Sequence, residues 1–237
     1  MSYGINFSDG LAPISEGFTS FNLIYHGRGI DDIFTFMGSR LRVNRISIKS
    51  KTPPVVFGLA WDLNKSKSYA PFMSEFSNGV WTYYFLKSDS MDSYFYVFSN
   101  DMPAAKSEYG IKVFNSQGSE IFNSDVVTAS VIGAGAIDRK NPSEVKFRFN
   151  FSDDIHGKRI ALNSCGGYFT PLYVHPHTIG LMSSFYISSD SSLNIENITV
   201  FGMQGDVSGK LGSQFGHRGV GGIYLAAIDV TSIKMRD

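Results

Sequence analysis

The chain has one cysteine, Cys165, among 237 residues. A single thiol closes no intrachain disulfide and builds no thiolate zinc cluster, which excludes the disulfide-rich secreted class. No apolar run approaches the roughly 18 residues that a spanning helix needs, so no helical membrane insertion is expected. Charge of one sign is absent too: 21 Lys and Arg balance 21 Asp and Glu, and charged residues make up only 18% of the chain. A neutral chain has no long-range attraction for a phosphate backbone, so no nucleic-acid partner is expected. The longest basic cluster, Arg40, Arg42, Arg45 and Lys49, reads as the polar face of one strand. Neutrality also removes colloidal repulsion, which an assembling protein tolerates better than a free one. Residues Met1 to Asn6 carry neither a basic nor an apolar segment, so the expectation is a chain made and folded in a cytoplasm.

Aromatic residues are plentiful at 14%, with 20 Phe, 12 Tyr and 2 Trp, and there are 24 Gly. This is ample apolar surface to offset the entropy of ordering the chain. The dominant pattern has period two. Val145, Phe147, Phe149 and Phe151 alternate with polar residues, as in a half-buried antiparallel strand. Leu41 and Val43 alternate with Arg, then the pattern slips at Asn44-Arg45 before Ile46 and Ile48, which predicts a bulge. Leu193 to Val200 slips in the same way at Glu196-Asn197. The aromatic runs Trp81–Leu86 and Tyr94–Phe98 flank a polar segment and read as a hairpin with both faces covered. Ile223–Val230 reads as a closing strand.

Helical pattern is scarce, and only Asn64 to Phe76 allows a turn or two. Turn triplets recur instead: Ser8-Asp9-Gly10, Ser77-Asn78-Gly79, Ser116-Gln117-Gly118, and the pair Gly166-Gly167. The fold expected is all-β, an antiparallel β-sandwich. An internal echo, Tyr3-Gly4-Ile5 against Tyr109-Gly110-Ile111, suggests two β lobes, 1–104 and 105–237. The polar segment Asn100 to Ser107 would then be the linker. One continuous domain is the alternative.

Few residues suggest chemistry. His175 and His177 flank Pro176 and would share a face in a strand, so both could meet one metal, but two ligands make no site and Pro176 favours an edge or loop. His26, His156 and His217 stand in turn-like contexts. The Gly205–Leu211 stretch is one residue short of a phosphate loop and has Leu211 where Ser or Thr is required. In the glycine-rich run Gly212–Gly222, Phe215, His217 and Arg218 are mounted on a turning loop that reads as a long connection between strands or a subunit-contact arm, with a binding loop as the alternative. The pairs Asp31-Asp32 and Asp153-Asp154 are adjacent, so in a strand they point apart and form no acid–base dyad; turn duty is expected for them. Cys165 has no base to activate it. Trp61, Trp81, Tyr83, Tyr84, Tyr94 and Tyr96 would fill a core or interface, or would stack on sugars. The expectation is neither an enzyme nor a cofactor protein.

Tyr94-Phe-Tyr-Val-Phe98, followed by Tyr109-Gly-Ile-Lys-Val-Phe-Asn-Ser-Gln-Gly-Ser-Glu-Ile-Phe-Asn-Ser124, resembles small β-rich tail proteins of tailed bacteriophages and prophages. In that family an aromatic strand precedes a Tyr-Gly-Leu-x-Val-Phe-Asn-x-x-Gly-x-x-x-Phe-Asp-Ser hairpin; here Ile111 stands for Leu and Asn123 for Asp. The close match is confined to this stretch. The opening Met1–Ile5 and the closing Ala227–Val230 are similar in style. The resemblance implies a structural virion protein at the tail tip or on an attached fibre, folded in the host cytoplasm. It implies a homo-oligomer, with a trimer favoured by analogy, whose partners are other tail proteins and, at the tip, a host-surface glycan or protein. It supplies no catalytic residues. The alternative from another class is a carbohydrate-binding module that uses the Trp and Tyr face.

Overall fold

The structure, a computed structural model, describes residues 4–5, 14–15, 20–36, 38–87, 93–101, 103, 110–137, 146–147, 151, 154–165, 169–188, 193–204 and 223–235. Among these residues every regular element is a strand and every pairing is antiparallel. In chain order the first ten are β1 (Gly4–Ile5), β2 (Ile14–Ser15), β3 (Asn22–Arg28), β4 (Ile30–Phe36), β5 (Ser39–Lys49), β6 (Val55–Asp62), β7 (Lys65–Ser66), β8 (Ser68–Tyr69), β9 (Pro71–Ser77) and β10 (Val80–Leu86). The rest are β11 (Tyr94–Ser99), β12 (Lys112–Phe114), β13 (Glu120–Asn123), β14 (Val131–Ile137), β15 (Lys146–Phe147), β16 (Arg159–Cys165), β17 (Phe169–Val174), β18 (His177–Ile187), β19 (Leu193–Gln204) and β20 (Ile223–Asp229).

A seven-stranded sheet, β14-β20-β16-β6-β11-β3 with β7 added on β6, is buried on both faces. The cause is visible in β11, whose residues are all buried. Period-two alternation sends Phe95 and Val97 to one face and Tyr94, Tyr96 and Phe98 to the other, and both sets are apolar enough to be covered. On the first face Val56, Ala60, Ile160, Leu162, Leu225 and Ala227 join Phe95 and Val97. They meet Ile46, Ile48 and Phe85 from a four-stranded sheet, β4-β5-β10-β9, and Phe185, Ile187 and Leu193 from a five-stranded one, β15-β19-β18-β17 with β8 on β18. This is the sandwich, and its layers meet through side chains rather than shared ladders. On the second face Phe57, Leu59, Ala161 and Ile228 pack with Val230 and Ile233. A bulge at Ala60, between Trp61 opposite Ile160 and Leu59 opposite Ala161, turns Trp61 onto the first face. There its Nε1–H donates to the Ile155 carbonyl at 3.2 Å.

Several expectations are corrected. Trp81–Leu86 and Tyr94–Phe98 do not form a hairpin: β10 pairs with β5 and β9, β11 with β3 and β6, and the chain between them changes layers. Asn64 to Phe76 contains no helix; Leu63 and Asn64, at φ 47° and 72°, make the tight turn that joins β6 to β7, and β8 and β9 follow. No bulge lies at Asn44-Arg45, because the β5 register is unbroken against both neighbours. The apolar pattern shifts there because Leu41 and Val43 are buried on one face of the sheet and Ile46 and Ile48 on the other. For the same reason Arg40 and Arg42 point to one side and Arg45 and Lys49 to the other, so they are not one basic face. In β19 the irregularity falls at Val200, not at Glu196-Asn197.

The boundary at 104/105 passes through the seven-stranded sheet, since β3, β6 and β11 precede it and β14, β16 and β20 follow it. The start of the expected linker is tied down: the Asp101 carboxylate accepts from Ser50 Oγ at 2.9 Å and from the Lys51 N–H at 3.0 Å. Of the strand expected over Val145–Phe151, Lys146–Phe147 is seen as β15 and Phe151 packs against the core. β20 is the expected closing strand, and it lies inside the sheet between β14 and β16.

Candidate functional site

Two tight hairpins build the four-stranded sheet. Asn78 and Gly79, at φ 51° and 78°, link β9 to β10. Such a left-handed pair matches the twist of the flanking strands. In the second hairpin Phe36 pairs with Ser39 across the short loop that joins β4 to β5. One face of the sheet enters the core through Ile46, Ile48, Phe85 and the half-buried Tyr83. The opposite face carries an aromatic cluster. The Phe34 ring lies 5.6 Å from Phe72 and 4.9 Å from Tyr84, and Phe36 lies 5.1 Å from Phe72. All three pairs are inclined, which suits the ring quadrupoles. A bulge places Phe72 there, since Tyr84 pairs with Met73 and Phe85 with Pro71.

Polar groups on this sheet are held by one another. Arg45 Nε lies 3.1 Å from Asp32 Oδ2, and Lys87 pairs with Asp31. The Tyr84 hydroxyl donates to Glu75 Oε1 at 2.6 Å, and this bond, with burial second, pushes its pKa up to about 12. Tyr83 donates to the Pro54 carbonyl, and burial pushes its pKa up to about 12. Apolar groups are left in water: Ile30 and Ile33 on β4 are 61% and 51% exposed, and Phe76 on β9 is 56% exposed against Trp81, ring centroids 4.6 Å apart. Ile30 shares the face of the Phe34, Phe36 and Tyr84 cluster, whereas Ile33 and Phe76 lie on the other face, so large apolar side chains meet water on both sides of this sheet.

The hairpin that carries the phage-tail resemblance is β12–β13. Asn115 Oδ1 accepts from the N–H groups of Gln117 and Ser119, and Gly118 takes φ 77°. The Asn-x-x-Gly spacing is therefore a turn. The side chains of Asn123 and Ser124 accept from the N–H groups of Asp125 and Ile111, at 2.9 and 2.8 Å, and latch the hairpin base. The motif is structural at each of these positions, and it leaves Ile111 and Phe114 exposed.

His175 and Pro176, joined by a cis peptide bond, form the turn between β17 and β18, with Val174 paired to His177. Both histidines are exposed. His175 lies in the turn and His177 begins β18, so they do not share a strand face. Among the described residues no group of three or more His, Cys, Asp or Glu is placed to hold a metal. Phe215, His217 and Arg218, the Gly205–Leu211 stretch and Asp153 lie outside the described residues. Asp31 and Asp32 are strand residues in ion pairs, not turn residues, and they do point to opposite faces. Asp154 accepts from the His156 N–H at 3.0 Å in a local turn. Cys165 ends β16.

The six aromatics do not form one face. Trp61, Tyr94 and Tyr96 are core residues, and Tyr83 and Tyr84 point to opposite sides of their sheet. His26, which showed no partner in sequence, hydrogen-bonds through Nδ1 to the Tyr94 hydroxyl at 2.9 Å and stacks on Tyr96. Burial raises the pKa of Tyr96, whose hydroxyl has no hydrogen-bond partner among the described residues. The shallow concavity lined by Gly58, Ala70, Phe85, Ser93 and Tyr94 does not admit a water molecule.

Sequence reasoning missed the exposed and half-buried set Ile30, Ile33, Phe34, Phe36, Phe72 and Phe76. Its one legible signal was the alternation of Asp32, Phe34 and Phe36 with their neighbours on a strand. Compared with protein-family models, curated proteins and solved structures, the chain matches none.

Proposed function

We propose that this chain is a structural protein of a tailed-phage tail, at the tip or on an attached fibre, where it assembles with copies of itself and with other tail proteins. The observation that carries this reading is the exposure of large apolar side chains on both faces of the four-stranded sheet, Ile30 on one and Ile33 and Phe76 on the other, which offers contact area. The β12–β13 hairpin supports it, because Asn115, Gly118, Asn123 and Ser124, four of the residues that carry the resemblance, hold its turn and its base. In this role the chain folds in the host cytoplasm, then joins the particle, and at the tip it contributes to host-surface attachment. Immunogold electron microscopy of particles from the source lysate, with antibody to this chain, tests it. Gold at one end of the tail is expected; bare particles with the protein free in solution, and with the epitope accessible, would reject it.

A second reading is a carbohydrate-binding module. The exposed Phe76 ring beside Trp81 favours it, since an exposed aromatic ring suits a pyranose face. A glycan screen of the isolated chain, read through the fluorescence of Trp81, separates the two.

A further inference from the structure

An antiparallel ladder alternates between residue pairs that exchange two hydrogen bonds and pairs that exchange none. The two-residue loop makes Phe36 and Ser39 a bonded pair. By alternation Phe34, Asp32 and Ile30 also bond to β5, and Thr35, Ile33 and Asp31 turn their N–H and C=O groups outward. The side chains agree: the Ile33 N–H donates to Asp32 Oδ1 at 2.8 Å, so it is not in the ladder. On the other side of β5 the Arg42 carbonyl accepts from the Lys87 N–H at 3.0 Å, as it must if Arg42 makes no pair with Ile33.

Proteins guard such edges with proline, bulges, very short strands or charged side chains. The other described edges of the three large sheets are guarded. Pro71 and a bulge at Phe72 interrupt β9, bulges interrupt β3 at Ile24 and β14 at Ile132, and Pro171 lies in β17; β15 covers only Leu193 and Asn194 of β19, whose remaining edge is interrupted by a bulge at Val200. Strand β4 has seven residues, no proline and no irregularity; its two charges, Asp31 and Asp32, are each paired within the chain, to Lys87 and Arg45, and it exposes Ile30 and Ile33.

We propose that β4 is a self-pairing edge that joins two copies of this chain across a twofold axis at Ile33, merging two four-stranded sheets into one. In this register Ile33 pairs with the Ile33 of the second copy and Asp31 with its Thr35, so every outward backbone group of both strands is bonded. Ile30 then lies against Phe36 of the second copy and Asp32 against its Phe34, so no carboxylate stands directly opposite another. A register one step toward the strand start would set Asp32 against Asp32, which like-charge repulsion disfavours. Asp32 keeps Arg45 and gives up the Ile33 N–H to the second copy's carbonyl. The net charge of zero puts no long-range repulsion between copies. A second copy is the occupant because the strand is complementary to itself in the register that uses all its free groups. This contact is additional to the trimer that the phage-tail resemblance favours and does not depend on the tail assignment.

The test uses the full chain with Ile33→Cys in a Cys165→Ser background. Facing residues of a bonded antiparallel pair stand about 5.5 Å apart at Cα, within disulfide reach. Mild oxidation is expected to give a covalent dimer, and Phe76→Cys in the same background is expected to give none. In sedimentation, Thr35→Lys, facing Asp31 of the second copy, should tighten the dimer about two- to fivefold, and Thr35→Asp should loosen it by a similar factor. Oligomers that form without the cross-link from the Ile33→Cys variant, or Thr35 variants that shift association in the same direction, would overturn the edge and leave self-assembly standing. A chain that stays monomeric across the concentration series would overturn both.

Discussion

Phe85 of β10 and Phe95 of β11 pack with ring centroids 4.3 Å apart and planes inclined by 33°, although their strands belong to different sheets. They are 3% and 1% exposed and join the four-stranded layer to the seven-stranded one. The contact replaces the hairpin that the two aromatic runs suggested. Truncating Phe95 to Ala removes a ring that the packed layers cannot collapse to fill, so a loss of about 3–5 kcal/mol is expected. Urea unfolding would measure it. The Phe85→Ala, Phe95→Ala double variant should lose less than the sum of the singles, because the rings touch.

Gly29 carries the chain from β3 in one sheet to β4 in the other. A Cβ there would stand 2.8 Å from Asn44 Cβ and 3.0 Å from the Phe95 ring. Neither neighbour has room to retreat, because both are buried. Gly29→Ala should therefore destabilise by about 1–3 kcal/mol through overpacking, visible as a lower urea midpoint with unchanged slope.

The two halves of the chain should not fold apart. In a fragment 1–104, β6 would lose β16 and leave Val56, Ala60 and Trp61 without Ile160 and Leu162. Dispersed amide resonances in the full chain and collapsed ones in the fragment are expected. A dispersed spectrum for the fragment would show that the first half holds its own core.

Tyr83 and Tyr84 both ionise near pH 12, above the usual 10. The native state thus holds these protons more tightly than the unfolded chain does. The stability they contribute is fully present below pH 10 and is lost as pH rises through about 12. Phenolate absorbance should show two late-titrating tyrosines in this sheet. Glu75→Gln should bring Tyr84 down toward 10, because the Glu75 carboxylate is the main cause of its shift, and should leave Tyr83 unchanged.

The strands were legible where one face is wet and one dry. Val131–Ile137 carries no such alternation, and the pattern of β11 is apolar on both faces, so periodicity found the second as a strand but could not say what lay on either side. Turns were legible wherever geometry demands a residue type: Asn78-Gly79 and Gly118 take the positive φ that their positions predict. The exposed apolar side chains of β4 and β9 were not legible. Phe34 and Phe36 in sequence are indistinguishable from core residues, and their partial exposure follows from β4 being an edge.

The composition and alternation by themselves determined an all-β antiparallel fold, because local sterics and period-two patterning act over a few residues. They also determined the turn of the β12–β13 hairpin, whose Asn115 bonds close over neighbouring residues. Only the tertiary structure decided which strands are neighbours, since pairing depends on contacts far apart in sequence, as between Val56 and Asn163. It alone set β10 and β11 in different layers, carried one sheet across residue 105, and left β4 uncovered, because burial belongs to the packed layers and not to any one segment.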